Sequence, residues 1–252
     1  MEFKNKNILL TGASSGIGYE LAKSLAAEKC NLALIARRVE LLDKLKDELK
    51  DSGSNIITIK CDVSKKEEVR EAYKIFKQNF GIPDIAILNS GISIRSSIDA
   101  FDVRNAEVTM GVNFFGIVYF VGEMLDDFME RKSGYIVGVS SLAESKGYPK
   151  SGFYSASKAA ASIYLESLSV ELEPFHIKVI TIKPGFVKTP MTDKNKFKML
   201  FLMPVDKAIK IIIKGLRADK RIIQFPLATS IASKLLRFLP YSIFKRVSRV
   251  QK

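Results

Sequence analysis

Along this chain, short runs of consecutive apolar residues recur between longer stretches in which apolar residues return every three or four positions. Seven runs stand out: Ile8–Leu10, Leu32–Ala36, Ile56–Ile59, Ile85–Leu88, Tyr135–Val139, Val179–Ile182 and Ile222–Phe225. Such runs lack polar alternation, which suits strands covered on both faces, as in a parallel sheet. Between them, Leu41, Leu42, Leu45 and Leu49 share one helical face, while Lys44, Lys46, Asp47, Glu48 and Lys50 mostly take the other. Another helix is predicted after Asp62-Val63-Ser64, with Ser64 as its cap and Glu67 and Glu68 at the positive end of its dipole. Strand and helix alternate throughout, and right-handed crossovers restrict the topology to one doubly wound α/β domain over residues 1–225. The expected sheet is seven-stranded and parallel, with helices on both faces. Ligands in that architecture bind beyond the carboxyl ends of the strands, so the chemistry is sought there.

Directly after the first run stands Thr11-Gly12-Ala13-Ser14-Ser15-Gly16-Ile17-Gly18, which opens into the helical stretch Tyr19–Leu25. A glycine-rich turn between strand and helix lets backbone N–H groups and the helix dipole meet a pyrophosphate. Gly12 and Gly16 suit the turn, and Gly18 suits close packing. A plain tight turn would use the same glycines, but the position in a first βαβ unit favours a dinucleotide. The second run ends at Ala36-Arg37-Arg38, nineteen positions from Gly18 to Arg37. An acid here would bind ribose hydroxyls, whereas arginine can grip a 2′-phosphate with two parallel hydrogen bonds, so NADP(H) is favoured over NAD(H).

A tyrosine four residues before a lysine on a helix puts both side chains on one face, where the ammonium is expected to lower the phenol's pKa. The spacing alone says little, because four pairs occur: Tyr19/Lys23, Tyr73/Lys77, Tyr154/Lys158 and Tyr241/Lys245. Setting separates the third. It opens a helical segment, Ser155 to Glu173, and follows a strand that ends in Ser140-Ser141 on the ligand edge.

Val139-Ser140-Ser141, then Tyr154-Ser155-Ala156-Ser157-Lys158, together with the GxxxGxG turn, resembles the short-chain dehydrogenase/reductase family from residue 5 to about 190. The resemblance implies a Rossmann-type domain and a hydride exchanged between nicotinamide and a carbonyl or secondary alcohol. It makes Tyr154 the proton donor and acceptor, and gives Lys158 both the phenol and the nicotinamide ribose to serve. Ser141 donates a hydrogen bond to the developing alkoxide, and Asn113 takes the family's fourth catalytic place, supporting a water chain to Lys158. For the cofactor, the matching positions are Gly12, Ser14, Ser15, Gly16, Ile17 and Gly18, then Asp62 and Val63 by the adenine, and Asn89 and Gly91. Pro184, Gly185, Val187 and Thr189 match as well, with Thr189 and the Val187 backbone holding the carboxamide. One departure stands out: the family's Asn-Asn-Ala-Gly is Leu88-Asn89-Ser90-Gly91 here, which puts the bracing of the central strand in question.

Composition, at 47% apolar and 27% charged over 252 residues, adds only that a large core can form. Cys30 and Cys61 show no disulfide or metal spacing and read as small buried residues, and the single His176 reads as a loop residue. No metal site is expected. The first residues run quickly into a strand, which predicts an intracellular, cytoplasmic protein. Met191, Met199 and Met203 follow Thr189, where flexible side chains can line a substrate pocket or merely fill gaps. Apolar content in the loops hints at a lipophilic ketone as the small-molecule partner.

Charge changes the picture at one end. Of the net +13, residues 217–252 carry +8, with nine basic side chains against Asp219 alone. Within the 226–252 extension, Ile231, Leu235, Leu236, Phe238, Leu239, Ile243, Phe244, Val247 and Val250 interleave with Lys234, Arg237, Lys245, Arg246, Arg249 and Lys252. This basic amphipathic segment fits peripheral contact with an anionic membrane, or else a helix pair packed on the domain or on a second subunit with a solvated basic face. No nucleic-acid motif accompanies it. A homodimer or homotetramer is expected through the long helices that carry Asn113 and Tyr154, aided by Ala159-Ala160-Ala161. A nucleotide sensor or membrane-associated scaffold without turnover is the rival reading.

Overall fold

The computed structural model describes residues 1–195, 197 and 199–249, with the backbone alone for 247–249. Val250 and Lys252 lie outside the described residues, as do the side chains of Val247 and Arg249. All seven apolar runs are strands: β1 (Asn7–Thr11), β2 (Asn31–Ala36), β3 (Asn55–Lys60), β4 (Ile85–Leu88), β5 (Gly134–Val139), β6 (Ile177–Pro184) and β7 (Ile222–Phe225). They pair in parallel in the order β3-β2-β1-β4-β5-β6-β7, so the order reverses between β1 and β4.

Successive residues of a strand face opposite sides. In β1, Ile8 and Leu10 face α1 (Gly16–Ala26), α2 (Val39–Glu48) and α7 (Val205–Arg217). Leu9 faces the other layer, α3 (Lys66–Phe80), α5 (Gly116–Arg131) and α6 (Gly152–Glu171). That is why both neighbours in a run must be apolar. Phe76, Phe120 and Phe128 are wholly buried in the second layer, where truncating one to alanine would cost about 3–5 kcal/mol. Cys30 and Cys61 are free thiols buried among these apolar residues. The predicted leucine stripe of α2 holds, with Leu42 and Leu45 buried, Leu49 buried just beyond its end and Leu41 half-buried.

α4 (Val103–Met110) runs into α5 through a π-helical turn at Gly111–Phe115. By length and composition the continuous 103–131 helix could cross a membrane, yet Phe120, Met124 and Phe128 are core residues here. Two further helices, α8 (Leu227–Phe238) and α9 (Tyr241–Arg249), follow β7.

The start of α3 corrects one expectation. The helix begins at Lys66, with Lys65 rather than Ser64 at its N-cap and no capping side chain. The Asp62 carboxylate accepts from the Ser64 amide (3.1 Å) and hydroxyl (2.7 Å), and Glu68 accepts from the Asp62 amide (2.8 Å). Ser64 thus stands one residue ahead of the cap position, and its hydroxyl is turned back to the Asp62 carboxylate instead of accepting from the helix amides.

Candidate active site

The carboxyl ends of the strands open onto a cavity of about 620 Å³. Gly12 and Ser14–Ile17 line it after β1, Arg37 and Arg38 after β2, and Asp62 and Val63 after β3. Asn89 and Gly91 follow from β4, Ser141 from β5, and Pro184, Gly185, Val187 and Thr189 from β6. Tyr154 and Lys158 complete it from α6. Of the residues expected at the site, only Gly18 and Asn113 stand behind this lining.

The turn after β1 is shaped for close approach. Gly12 has φ +69°, and a Cβ there would lie 2.9 Å from both Asn89 Nδ2 and Ser90 Cα. A Cβ on Gly18 would sit 2.2 Å from the Gly12 carbonyl oxygen, so Gly18 serves packing, as the sequence suggested. Asn89 Nδ2 donates to the Thr11 and Gly12 carbonyls (3.1 and 3.3 Å), and Thr11 Oγ1 accepts from the Asn89 and Ser90 amides (3.0 Å each). The brace between β1 and β4 therefore runs through Asn89 and Thr11, while Leu88 is buried in the apolar core. α1 begins at Gly16 without a side-chain cap, and its first-turn amides lack helical partners. Arg38 Nη2 donates to the Ser14 and Ser15 hydroxyls (2.9 and 3.0 Å), holding its guanidinium against the turn. Arg37 Nη1 lies 3.8 Å from Asp62 Oδ2.

At the other end, Lys158 is 3% exposed, and its Nζ donates to the Val139 carbonyl at 2.8 Å. Its Nζ lies 6.0 Å from the centre of the Tyr154 ring. The expectation that this ammonium lowers the phenol's pKa is not met. Burial pushes the Tyr154 phenol above its ordinary value, opposed only by the Ser141 hydroxyl, and pushes Lys158 down from 10.5 to about 8. Each group is desolvated, and desolvation favours the neutral form of both. Ser141 Oγ accepts from the Ala143 amide (3.1 Å) and reaches the Pro184 carbonyl at 3.4 Å, a contact long enough for a better acceptor to replace.

The other three Tyr/Lys pairs are elsewhere. Tyr19 bonds Glu48 and is pushed up to about 12; Tyr73 donates to Asp127 (2.5 Å), with burial raising its pKa; Tyr241 is exposed. None lines the cavity. Asn113 sits in the π-helical turn and is fully buried. Its amide oxygen accepts from the Ile92 amide (2.8 Å), and its Nδ2 donates to the Ile92 carbonyl (3.0 Å) and Ser157 Oγ (2.9 Å). The side chain thus ties the loop after β4 to α6. His176 is an exposed turn residue. Met191 lines the cavity, whereas Met199 and Met203 do not.

A family model described as short chain dehydrogenase matches residues 6–199. The chain belongs to the short-chain dehydrogenase family. Among relatives of this short-chain dehydrogenase, an uncharacterized oxidoreductase of Myxococcus xanthus is 32% identical over 248 residues, 98% of each chain. A fatty acyl-CoA reductase of Acinetobacter baylyi is 31% identical over 87% of this chain and 76% of its own. The solved alcohol dehydrogenase of the archaeon Thermococcus sibiricus, complexed with 5-hydroxy-NADP, is 26% identical with a TM-score of 0.78, covering 87% of this chain and 94% of that one. Solved structures of the same fold hold NAD in one case and NADPH in another, so the fold leaves the choice of nucleotide open.

One cluster in this short-chain dehydrogenase was invisible in the sequence. Glu144, in the 3₁₀ turn at 142–145, accepts from Ser140 Oγ (2.8 Å) and Ser162 Oγ and pairs with Lys183. Ser140 Oγ also lies 2.8 Å from the Lys158 carbonyl. The Glu144 charge raises the pKa of Lys158 against the effect of burial. Its only sequence signal is an acid three positions after Ser141, on a segment too short for periodicity to speak.

Proposed function

We propose that this short-chain dehydrogenase is an NADP(H)-dependent oxidoreductase that interconverts a lipophilic carbonyl compound and its secondary alcohol. The observation that carries the reading is that Ser141, Tyr154 and Lys158 share one cavity with the glycine turn and with Arg37 and Arg38. The turn has the shape a nucleotide needs: its floor approaches Asn89 and Ser90 too closely for any Cβ, and helix α1 aims its uncapped N-terminus there. Gly12, Ser14, Ser15, Gly16 and Ile17 would hold the pyrophosphate, Arg37 and Arg38 the 2′-phosphate, and Asp62 and Val63 the adenine. Asn89, Gly91, Pro184, Gly185, Val187 and Thr189 would line the nicotinamide side. A bound nicotinamide supplies or accepts the hydride.

The chain's own residues move the proton. Tyr154, its phenol held neutral by burial, gives its proton to the carbonyl oxygen on reduction and takes it back on oxidation. Lys158, with a pKa near 8, is mostly an ammonium at neutral pH and returns a proton to the tyrosinate that remains. Ser141 turns its hydroxyl from the long Pro184 contact to the developing oxyanion. Asn113 acts as a positioning residue, fixing Ile92 and Ser157 around Lys158. Leu142, Phe186, Met191, Phe197 and Leu236 give the cavity an apolar side, which together with the fatty acyl-CoA reductase relative supports a long-chain substrate. Exposed Val108 and Phe115, with Ile163 and Val170 on α6, support assembly into a homodimer or homotetramer through those helices. NADPH oxidation measured against carbonyl compounds of increasing chain length tests the reading. Turnover should rise with length, and failure to consume NADPH with any of them would overturn it.

A further inference from the structure

Helix α8 is turned inside out. Its buried positions are Ser230 and Ser233, whose hydroxyls are spent on the Pro226 and Ser230 carbonyls (3.0 Å each). Four of its five large apolar side chains point away from the protein: Leu227 is 72% exposed, Ile231 51%, Leu235 65% and Phe238 83%. The spacing places these four within one stripe along three helical turns. An ordinary surface helix buries that stripe and exposes its serines. The sequence left open whether this segment packs with its apolar face on the domain, and the structure shows that face outward.

The segment is nonetheless firmly placed. Lys146 Nζ donates to the Arg237 and Leu239 carbonyls (3.2 and 3.3 Å) and lies 5.3 Å from the Phe244 ring of α9, which also meets Tyr148 edge-on at 6.3 Å. Thr229, Ala232, Ser233 and Leu236, on the side of α8 away from the exposed stripe, wall the cavity described above. The helix is therefore a partition, with the cavity on one side and an uncovered apolar stripe on the other.

Charge decides what covers the stripe. Lys234 and Arg237 flank it on α8, Arg246 is exposed on α9, and no acidic residue follows Asp219 anywhere in the sequence. A second copy of this chain would bring the same basic rim against itself, at a cost in repulsion. An anionic surface with an apolar interior complements both features, and a stripe of this size buries to the depth of the headgroup and acyl boundary. Pro240 and the interspersed charges forbid spanning.

We infer that the outward face of α8, with Lys234, Arg237 and Arg246, docks this protein on the surface of an anionic lipid bilayer, beside the cavity that α8 walls. The docking deepens the proposed function by naming a partner, and rests on that reading only in supposing that a lipophilic substrate enters from the bilayer.

The test uses the full chain, sedimented with vesicles of phosphatidylcholine alone or mixed with phosphatidylglycerol at physiological salt. Binding to the mixed vesicles and not to the neutral ones is expected. Each basic side chain near the surface contributes about fivefold in partitioning, so Lys234→Gln with Arg237→Gln should weaken binding about thirtyfold. Leu235→Glu with Phe238→Glu should abolish it while leaving the unfolding transition unchanged, since both side chains are exposed. Activity of that variant on a water-soluble carbonyl should also be unchanged, which separates failure of docking from failure of the catalytic reading. Sedimentation that ignores lipid charge, or a Leu235→Glu/Phe238→Glu variant that binds as before, overturns the inference. So does a native dimer that this variant converts to monomer in light scattering, because the face would then belong to a second copy.

Discussion

Replacing Lys158 by methionine should stabilise the protein at neutral pH while disabling the site. The lysine is almost wholly buried, and burial moves its pKa from 10.5 to about 8. At about 1.4 kcal/mol per pH unit, holding this ammonium inside costs the fold about 3 kcal/mol wherever both states are protonated, that is below pH about 8. Between about 8 and 10.5 the unfolded chain binds the extra proton, so stability of the unaltered protein rises with pH through that window. Methionine keeps the stem and the volume and removes the charge. It also leaves the Val139 carbonyl without its 2.8 Å donor, a loss of about 1 kcal/mol. The net gain at pH 7 is about 2 kcal/mol, or about 5 °C in Tm for a chain of this length. Denaturant unfolding of both proteins without added nucleotide, from pH 7 to pH 10.5, reads the difference. The methionine variant should lead at pH 7 and lose that lead as pH approaches 10.5. A variant less stable at pH 7 by an amount that does not change with pH would refute the burial argument.

Arg37→Ala with Arg38→Ala should erase most of a preference for NADPH over NADH, about 10- to 100-fold, because charge-assisted bonds to a phosphate are worth roughly 1.5–3 kcal/mol. Fluorescence titration of both nucleotides checks it, and equal affinities in the unaltered protein would count against the assignment. Glu144→Gln removes the charge that raises the pKa of Lys158, so the alkaline limb of kcat/KM should move to lower pH, visible in a pH–rate profile. The same change strands Lys183 and should lower stability on the order of 2 kcal/mol, less than the 3–5 of a fully buried pair.

The fold was legible because burial on both faces of a parallel sheet forces continuous apolar runs, and each of Ile8–Leu10 through Ile222–Phe225 marked its strand. The glycine turn was legible for a similar reason: backbone approach at Gly12 and Gly18 excludes every other side chain. Polar contacts across distant segments left no such trace. Nothing in the spacing of Glu144, Ser162 and Lys183 shows that they meet, because each comes from a different element of the fold. The Ser64 cap failed because the helix starts one residue later than the pattern implied, and Ser64 bonds the Asp62 carboxylate two residues back. The pKa of Tyr154 was misjudged because pattern shows a neighbouring charge but not the depth at which both groups lie. In α8 the apolar stripe was plain in the sequence, while the side it faces was not.

The measurement that bears most directly on the account is steady-state turnover and NADPH affinity of Tyr154→Phe. The change keeps the ring and removes the only group proposed to exchange a proton with the substrate oxygen, so turnover should fall by about 10²–10⁴ while NADPH binds as before. Tyr19→Phe, Tyr73→Phe and Tyr241→Phe, at the three pairs outside the cavity, should retain nearly full activity. A Tyr154→Phe enzyme that reduces any accepted carbonyl at the unaltered rate would contradict the mechanism, whatever the fold.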